Sequence, residues 1–121
     1  MSNNLRIEKL QELIKQEMSK SILQEIKDPR IGFVTVTDVK LSKDLSVAKI
    51  FVSIMGSDEQ IKDTLEGLKS ALGFLRHEIA KKVRMKYTPK IYFALDTSQN
   101  YSEHIQKLLL EISNEEKERE I

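Results

Sequence analysis

One apolar stripe, Ile61, Leu65, Leu68, Leu72, Leu75, Ile79 and Val83, holds helical phase through a stretch that also contains Gly67 and Gly73. Apolar residues three and four apart share one face of an α-helix, so this stretch must fold as helix and bury that face. A glycine inside a helix costs about 1 kcal/mol relative to alanine. One can be tolerated for packing. Gly73, set between Ala71-Leu72 and Phe74-Leu75-Arg76, reads as a kink or break dividing two helices. Upstream, Ser57 and Gln60 have the spacing of a capping box. Thr88-Pro89 is expected to end the helical segment.

The remaining elements follow from the same rules. Leu10, Leu13, Ile14, Met18 and Ile22 recur at helical spacing from about Leu5 to Ile26, with Asn3 or Asn4 as a plausible N-cap. That helix should stop near Lys27, because Pro29 disfavours helical geometry at Asp28. Phe33-Val34-Thr35-Val36-Thr37 reads as a strand whose alternation changes phase near Asp38, and a β-bulge there restores one buried face. After a turn at Ser42-Lys43-Asp44, a second strand runs from Leu45 to Ile54 with Ala48, Ile50, Val52 and Ile54 inward, giving an antiparallel hairpin. Ile91 to Leu95 is a third strand. A last helix begins near Tyr101, with Ile105, Leu108, Leu109 and Ile112 in phase. The order α–β–β–α–α–β–α predicts an α+β single domain over residues 1–112, three strands with helices on one face, and a short acidic tail over 113–121. This layout is similar to the type II KH arrangement. Where KH domains carry a GxxG loop that lets backbone approach RNA phosphates, the helix junction here carries Ala71-Leu72-Gly73.

Charge narrows the function. The net charge is only +1. From Arg76 to Lys90, however, six bases (Arg76, Lys81, Lys82, Arg84, Lys86 and Lys90) face the single acid Glu78, while the end of the chain is rich in glutamate. Such asymmetry points to a polyanionic partner, although the same lysines would suit a solvated helix face. Lys69, Arg76, His77, Lys81, Lys82 and Arg84 fall mostly off the apolar stripe, and Lys86 and Lys90 lie where the helix feeds the third strand. Together with Ala71 and Gly73 they form the candidate RNA-binding band, and Lys20, Lys27 and Arg30 a second basic set. Phe74 lies off the stripe, where it could stack on a base or pack against the first helix. The chain has no cysteine, which excludes disulfides, thiolate chemistry and cysteine-bound zinc. His77 and His104 are too far apart to suggest a local metal site, and no nucleophile–base motif or Gly-rich phosphate loop occurs. Neither enzyme chemistry nor a cofactor is therefore expected. No apolar run reaches the roughly 20 residues of a membrane helix, so the cytoplasm is the expected compartment.

The chain resembles the bacterial ribosome-binding factor A family along nearly its whole length. The resemblance rests on Asp28-Pro29-Arg30, on Val34-Thr35-Val36-Thr37-Asp38-Val39 running into Leu41-Ser42-Lys43-Asp44-Leu45, and on Ala48-Lys49-Ile50-Phe51-Val52-Ser53. It continues through Ala71-Leu72-Gly73-Phe74-Leu75-Arg76, Pro89 with Ile91-Tyr92-Phe93, and Asp96-Thr97-Ser98. The resemblance implies a KH-like fold with an Ala-x-Gly interhelical kink. It also implies a non-enzymatic, monomeric assembly factor that binds the free 30S subunit and assists late maturation of 16S rRNA, including its 5′ end, particularly in the cold. A KH-like module that contacts a ribosomal protein or an assembly GTPase is the alternative.

Overall fold

The computed structural model describes residues 2–96, 101–103 and 105–107. Its elements run α1 (Ser2–Gln24), β1 (Phe33–Leu41), β2 (Val47–Met55), α2 (Asp58–Ser70), α3 (Leu72–Lys82) and β3 (Lys90–Leu95). Glu103 and residues 105–107 are helical too. Ser102 opens that turn, its hydroxyl accepting from the Ile105 amide. Leu108, Leu109, Ile112 and the acidic tail of residues 113–121 lie outside the described residues.

Strand order is β1-β2-β3, with β1 and β2 antiparallel and β2 and β3 parallel. The expected change of phase in β1 takes the form of a register shift between Val36 and Asp38. Thr37 is the extra residue, so Val36 and Val39 both point into the core. Ala48, Ile50, Val52 and Ile54 are buried on the same face of β2, and Ile91 and Leu95 on β3. Over that face lie Leu10, Ile14, Met18 and Ile22 of α1, Ile61, Leu65 and Leu68 of α2, and Leu75 and Ile79 of α3, with Val83 just after it and Ile105 from the last turn. The result is a KH-like α+β layer pair. Its helices cover one side of the sheet.

Four local expectations shift. Leu13 is 46% exposed rather than buried. Asn3 and Asn4 lie within α1 rather than ahead of it. That helix ends at Gln24, where the amides of Glu25 and Ile26 both turn onto the Ser21 carbonyl, so it unwinds before Pro29 exerts its constraint. Likewise α3 stops at Lys82, well ahead of Thr88-Pro89, because Val83 adopts an extended backbone (φ −115°, ψ 119°) and buries its side chain.

The capping box at the start of α2 forms in full: the Gln60 amide donates to Ser57 Oγ, and the Ser57 amide donates to Gln60 Oε1. Gly56 precedes it at φ +138°, a conformation that disfavours side chains, and a Cβ there would meet the Gln60 amide oxygen at 2.6 Å.

The β1–β2 turn is held by Asp44, whose Oδ1 accepts from Ser42 Oγ, Ser46 Oγ and the Ser46 amide. It supports Leu45 at φ +63°. These donors, Ser46 first and then Ser42, pull the Asp44 carboxyl down to about 2. Because the folded pKa is depressed, its stabilisation is present above the ordinary carboxyl range and fades as pH falls from about 4 towards 2. A carbon-detected titration should place the Asp44 midpoint near 2, with faster amide exchange at Ser46 below it; an ordinary midpoint near 4 would refute this turn geometry.

Candidate nucleic-acid interface

The long apolar stripe is divided where the sequence predicts, in Ala71-Leu72-Gly73. The break falls on Ala71 itself, with φ −89° and ψ 0°. Its amide closes α2 on the Gly67 and Leu68 carbonyls, and its carbonyl receives the Leu75 amide of α3. Ala71 is thus the last cap of one helix and the first of the next. Gly73 lies inside the first turn of α3, and a Cβ there would meet nothing within 4 Å. The other glycine of the stripe has the steric role. A Cβ on Gly67 would stand 2.7 Å from Ile31 Cγ1, so the loop after α1 approaches α2 as closely as glycine permits.

That loop is anchored at three points. Thr64 Oγ1 accepts from the Gly32 amide at 3.1 Å, and lies 2.8 Å from the Gln60 carbonyl and 3.3 Å from that of Arg30. Asp28 receives the Arg30 guanidinium on both carboxylate oxygens, at 2.7 Å for the shortest contact, and the Arg30 amide as well. The Arg30 guanidinium and amide hold the Asp28 carboxyl below its usual range. The loop and the helix junction border a shallow, open cleft of about 480 Å³ lined by residues 25–29, Ala71 and Phe74. Phe74 forms part of this lining opposite Pro29, with 43% of its surface still exposed.

The candidate basic residues separate into groups. Lys27 lines the cleft and Arg30 stands beside it, so part of the second basic set gathers at the junction; Lys20 lies further back on α1. Arg76 is engaged internally, its guanidinium donating to the Thr88 and Pro89 carbonyls at 3.1 and 3.3 Å. This contact folds the segment carrying Arg84, Lys86 and Lys90 back along α3. Arg84, Lys86 and Lys90 are exposed, and Lys86 Nζ sits 5.6 Å from the Tyr87 ring centre. Lys81 and Lys82 are charge-compensated: Lys81 pairs with Glu78 at 3.3 Å, and Lys82 contacts Glu25 at 2.9 Å, Glu78 at 3.4 Å and Glu17 at 3.8 Å. Lys69 is half-buried and His77 exposed.

Burial pushes the nearly enclosed Glu78 carboxyl up, but Lys81 and Lys82 together outweigh it and hold the group below its ordinary value. Lys82 is raised, chiefly by Glu25. The acidic partners Glu17 on α1 and Glu25 just after it carry no local sequence signal, being more than fifty residues from Lys82. Thr64 and Gly67 were equally hidden as loop anchors, although a glycine in an apolar stripe marked the spot. What remains is an open cleft with an aromatic wall and Lys27 at its edge, Arg30 being paired with Asp28, and an exposed basic segment after α3. Such a surface can grip phosphates without catalytic chemistry.

The model of the family described as "Ribosome-binding factor A" matches residues 6–109 of this chain. A protein named ribosome-binding factor A from Caldanaerobacter subterraneus subsp. tengcongensis is 50% identical over 112 residues, 92% of either chain. Among solved structures, the crystal structure of ribosome-binding factor A from Thermus thermophilus is similar at a TM-score of 0.68 and 29% identity, covering 78% of this chain and 99% of that one. A Thermus thermophilus ribosome-binding factor A model fitted into a cryo-EM map of its complex with 30S matches at a TM-score of 0.59 and 31% identity, over 73% of this chain and 92% of that one.

Proposed function

Since the chain belongs to the ribosome-binding factor A family, we propose that it is a non-enzymatic, monomeric assembly factor of the cytoplasm that binds the free 30S subunit through 16S rRNA. In this reading it assists late maturation of that RNA, including processing of the 5′ end, and matters most in the cold, where misfolded RNA escapes slowly. The relative fitted into a 30S complex supports the choice of partner. The observation that carries the chemistry is the set of exposed cations Arg84, Lys86 and Lys90, with Lys27 on the open cleft at Ala71. Phosphate neutralisation with counterion release supplies most of the affinity. Selectivity comes from RNA shape and from nucleotides exposed outside helices.

Co-sedimentation of the full chain with purified 30S subunits over a salt series tests this. Four to six phosphate contacts give a log–log slope of roughly −3 to −5. A slope near zero overturns the electrostatic account, and absence of 30S binding at low salt overturns the function.

A further inference from the structure

No described residue covers the sheet's second face. Its residues follow from strand register: Phe33, Thr35, Asp38 and Lys40 on β1; Val47, Lys49, Phe51, Ser53 and Met55 on β2; Lys90, Tyr92 and Ala94 on β3. The described helices cover only the opposite face. Phe33 is 83% and Met55 72% exposed, and these two sit opposite one another in register. Phe51 and Tyr92 are half-buried at the centre, diagonal neighbours through the pairs Lys49–Tyr92 and Phe51–Ala94. Lys40, Lys49 and Lys90 are exposed around them, with Lys49 Nζ 5.9 Å from the Phe51 ring centre.

We propose that this open face is a stacking platform for a single-stranded RNA segment, distinct from the helical cleft. The composition of the face selects that occupant. Three lysines stand against the one carboxylate of Asp38, which already accepts the Val39 amide. Val47, Met55 and Ala94 share the face, but its centre carries the Phe51 and Tyr92 rings interleaved with cations and the hydroxyls of Thr35 and Ser53. Rings stack on bases of any sequence, and lysines beside them follow the phosphates. Cross-strand diagonals lie about 7–8 Å apart, so successive bases of an extended strand can each meet a ring. The bulge at Thr37 helps by keeping Asp38 and Lys40, rather than Val39, on this side. The proposal does not depend on the cleft or on 30S binding.

The test uses the full chain and an oligouridine of about eight nucleotides carrying 4-thiouridine, within the site size such platforms span. Crosslinks on the unaltered protein should fall on the peptides bearing Phe51 and Tyr92. Phe51→Leu and Tyr92→Leu should each weaken binding by about 5- to 100-fold, while Phe51→Tyr and Tyr92→Phe should retain it. Leucine keeps the apolar bulk and removes only the ring, so a protein-docking face would tolerate it. Crosslinks confined to residues 25–30 and 71–86 overturn the proposal. So do leucine variants that fold and bind like the parent, even if the same face crosslinks to a ribosomal protein. Should the leucine variants not fold, the crosslink map decides alone.

Discussion

Replacing Gly67 with valine should destabilise the fold by about 3 kcal/mol, the upper range for overpacking a close-packed site. Even the first added carbon stands 2.7 Å from Ile31 Cγ1 and 3.5 Å from Arg30 Cβ. Ile31 cannot simply swing away. Its loop is tied to α2 through Thr64, and Asp28 and Arg30 brace each other just upstream. The strain should therefore appear both as a lower urea midpoint and as an altered cleft, with weaker 30S binding by the fraction that stays folded. Gly73→Ala provides the contrast. With nothing near its Cβ, it should stabilise by up to about 1 kcal/mol through helix propensity. Unchanged RNA binding by that variant would assign the interhelical break to Ala71 alone. If Gly67→Val instead unfolds at the parent's urea midpoint, the close approach of loop and helix is wrong.

Neutralising Arg84, Lys86 and Lys90 together, each to Gln, should weaken 30S binding by roughly 100- to 500-fold at 0.1 M salt and make the salt slope shallower by about 2 to 3. Each lost phosphate contact removes about 0.7 to 0.9 of slope, and these side chains have no carboxylate partner among the described residues. Lys81→Gln should do far less to binding, since Glu78 already compensates that charge. Lys82→Gln should act mainly on stability, because it leaves Glu78 nearly enclosed with one partner fewer. The sign with pH follows: the raised Lys82 contributes below its ordinary value and is lost only as pH climbs through its folded value, whereas the lowered Glu78 contributes above its ordinary value and is lost on acidification. Equal binding losses for Lys82→Gln and the triple variant would show that Glu17 and Glu25 do not hold Lys82.

The elements were legible because their signals are local. The bulge near Asp38 was written in a change of alternation, the start of α2 in Ser57 and Gln60, and the helix junction in glycine spacing. The candidate site was legible in position but not in state. Six bases between Arg76 and Lys90 look alike in sequence, yet Arg76 ties down a loop, Lys81 and Lys82 are neutralised, and Arg84, Lys86 and Lys90 face outward. The residues deciding this, Glu17 on α1 and Glu25 just past its end, meet Lys82 only through tertiary packing. No periodicity reports such a meeting. Gly67 could be read as a packing glycine, but not what it packs against: its neighbour Ile31 lies in a loop that local propensity cannot place.

The parallel pairing of β3 with β2 sets an order of assembly. The β1–β2 hairpin closes over a short turn, whereas Val47 meets Lys90 only after the whole α2–α3 crossover has formed. Ile105, wholly enclosed, arrives later still. During synthesis the amino-terminal hairpin and α1 can pair early, but their apolar side stays uncovered until most of the chain has left the tunnel. Until residues 90–95 join, the edge of β2 that β3 fills stays unpaired, a template for any other strand.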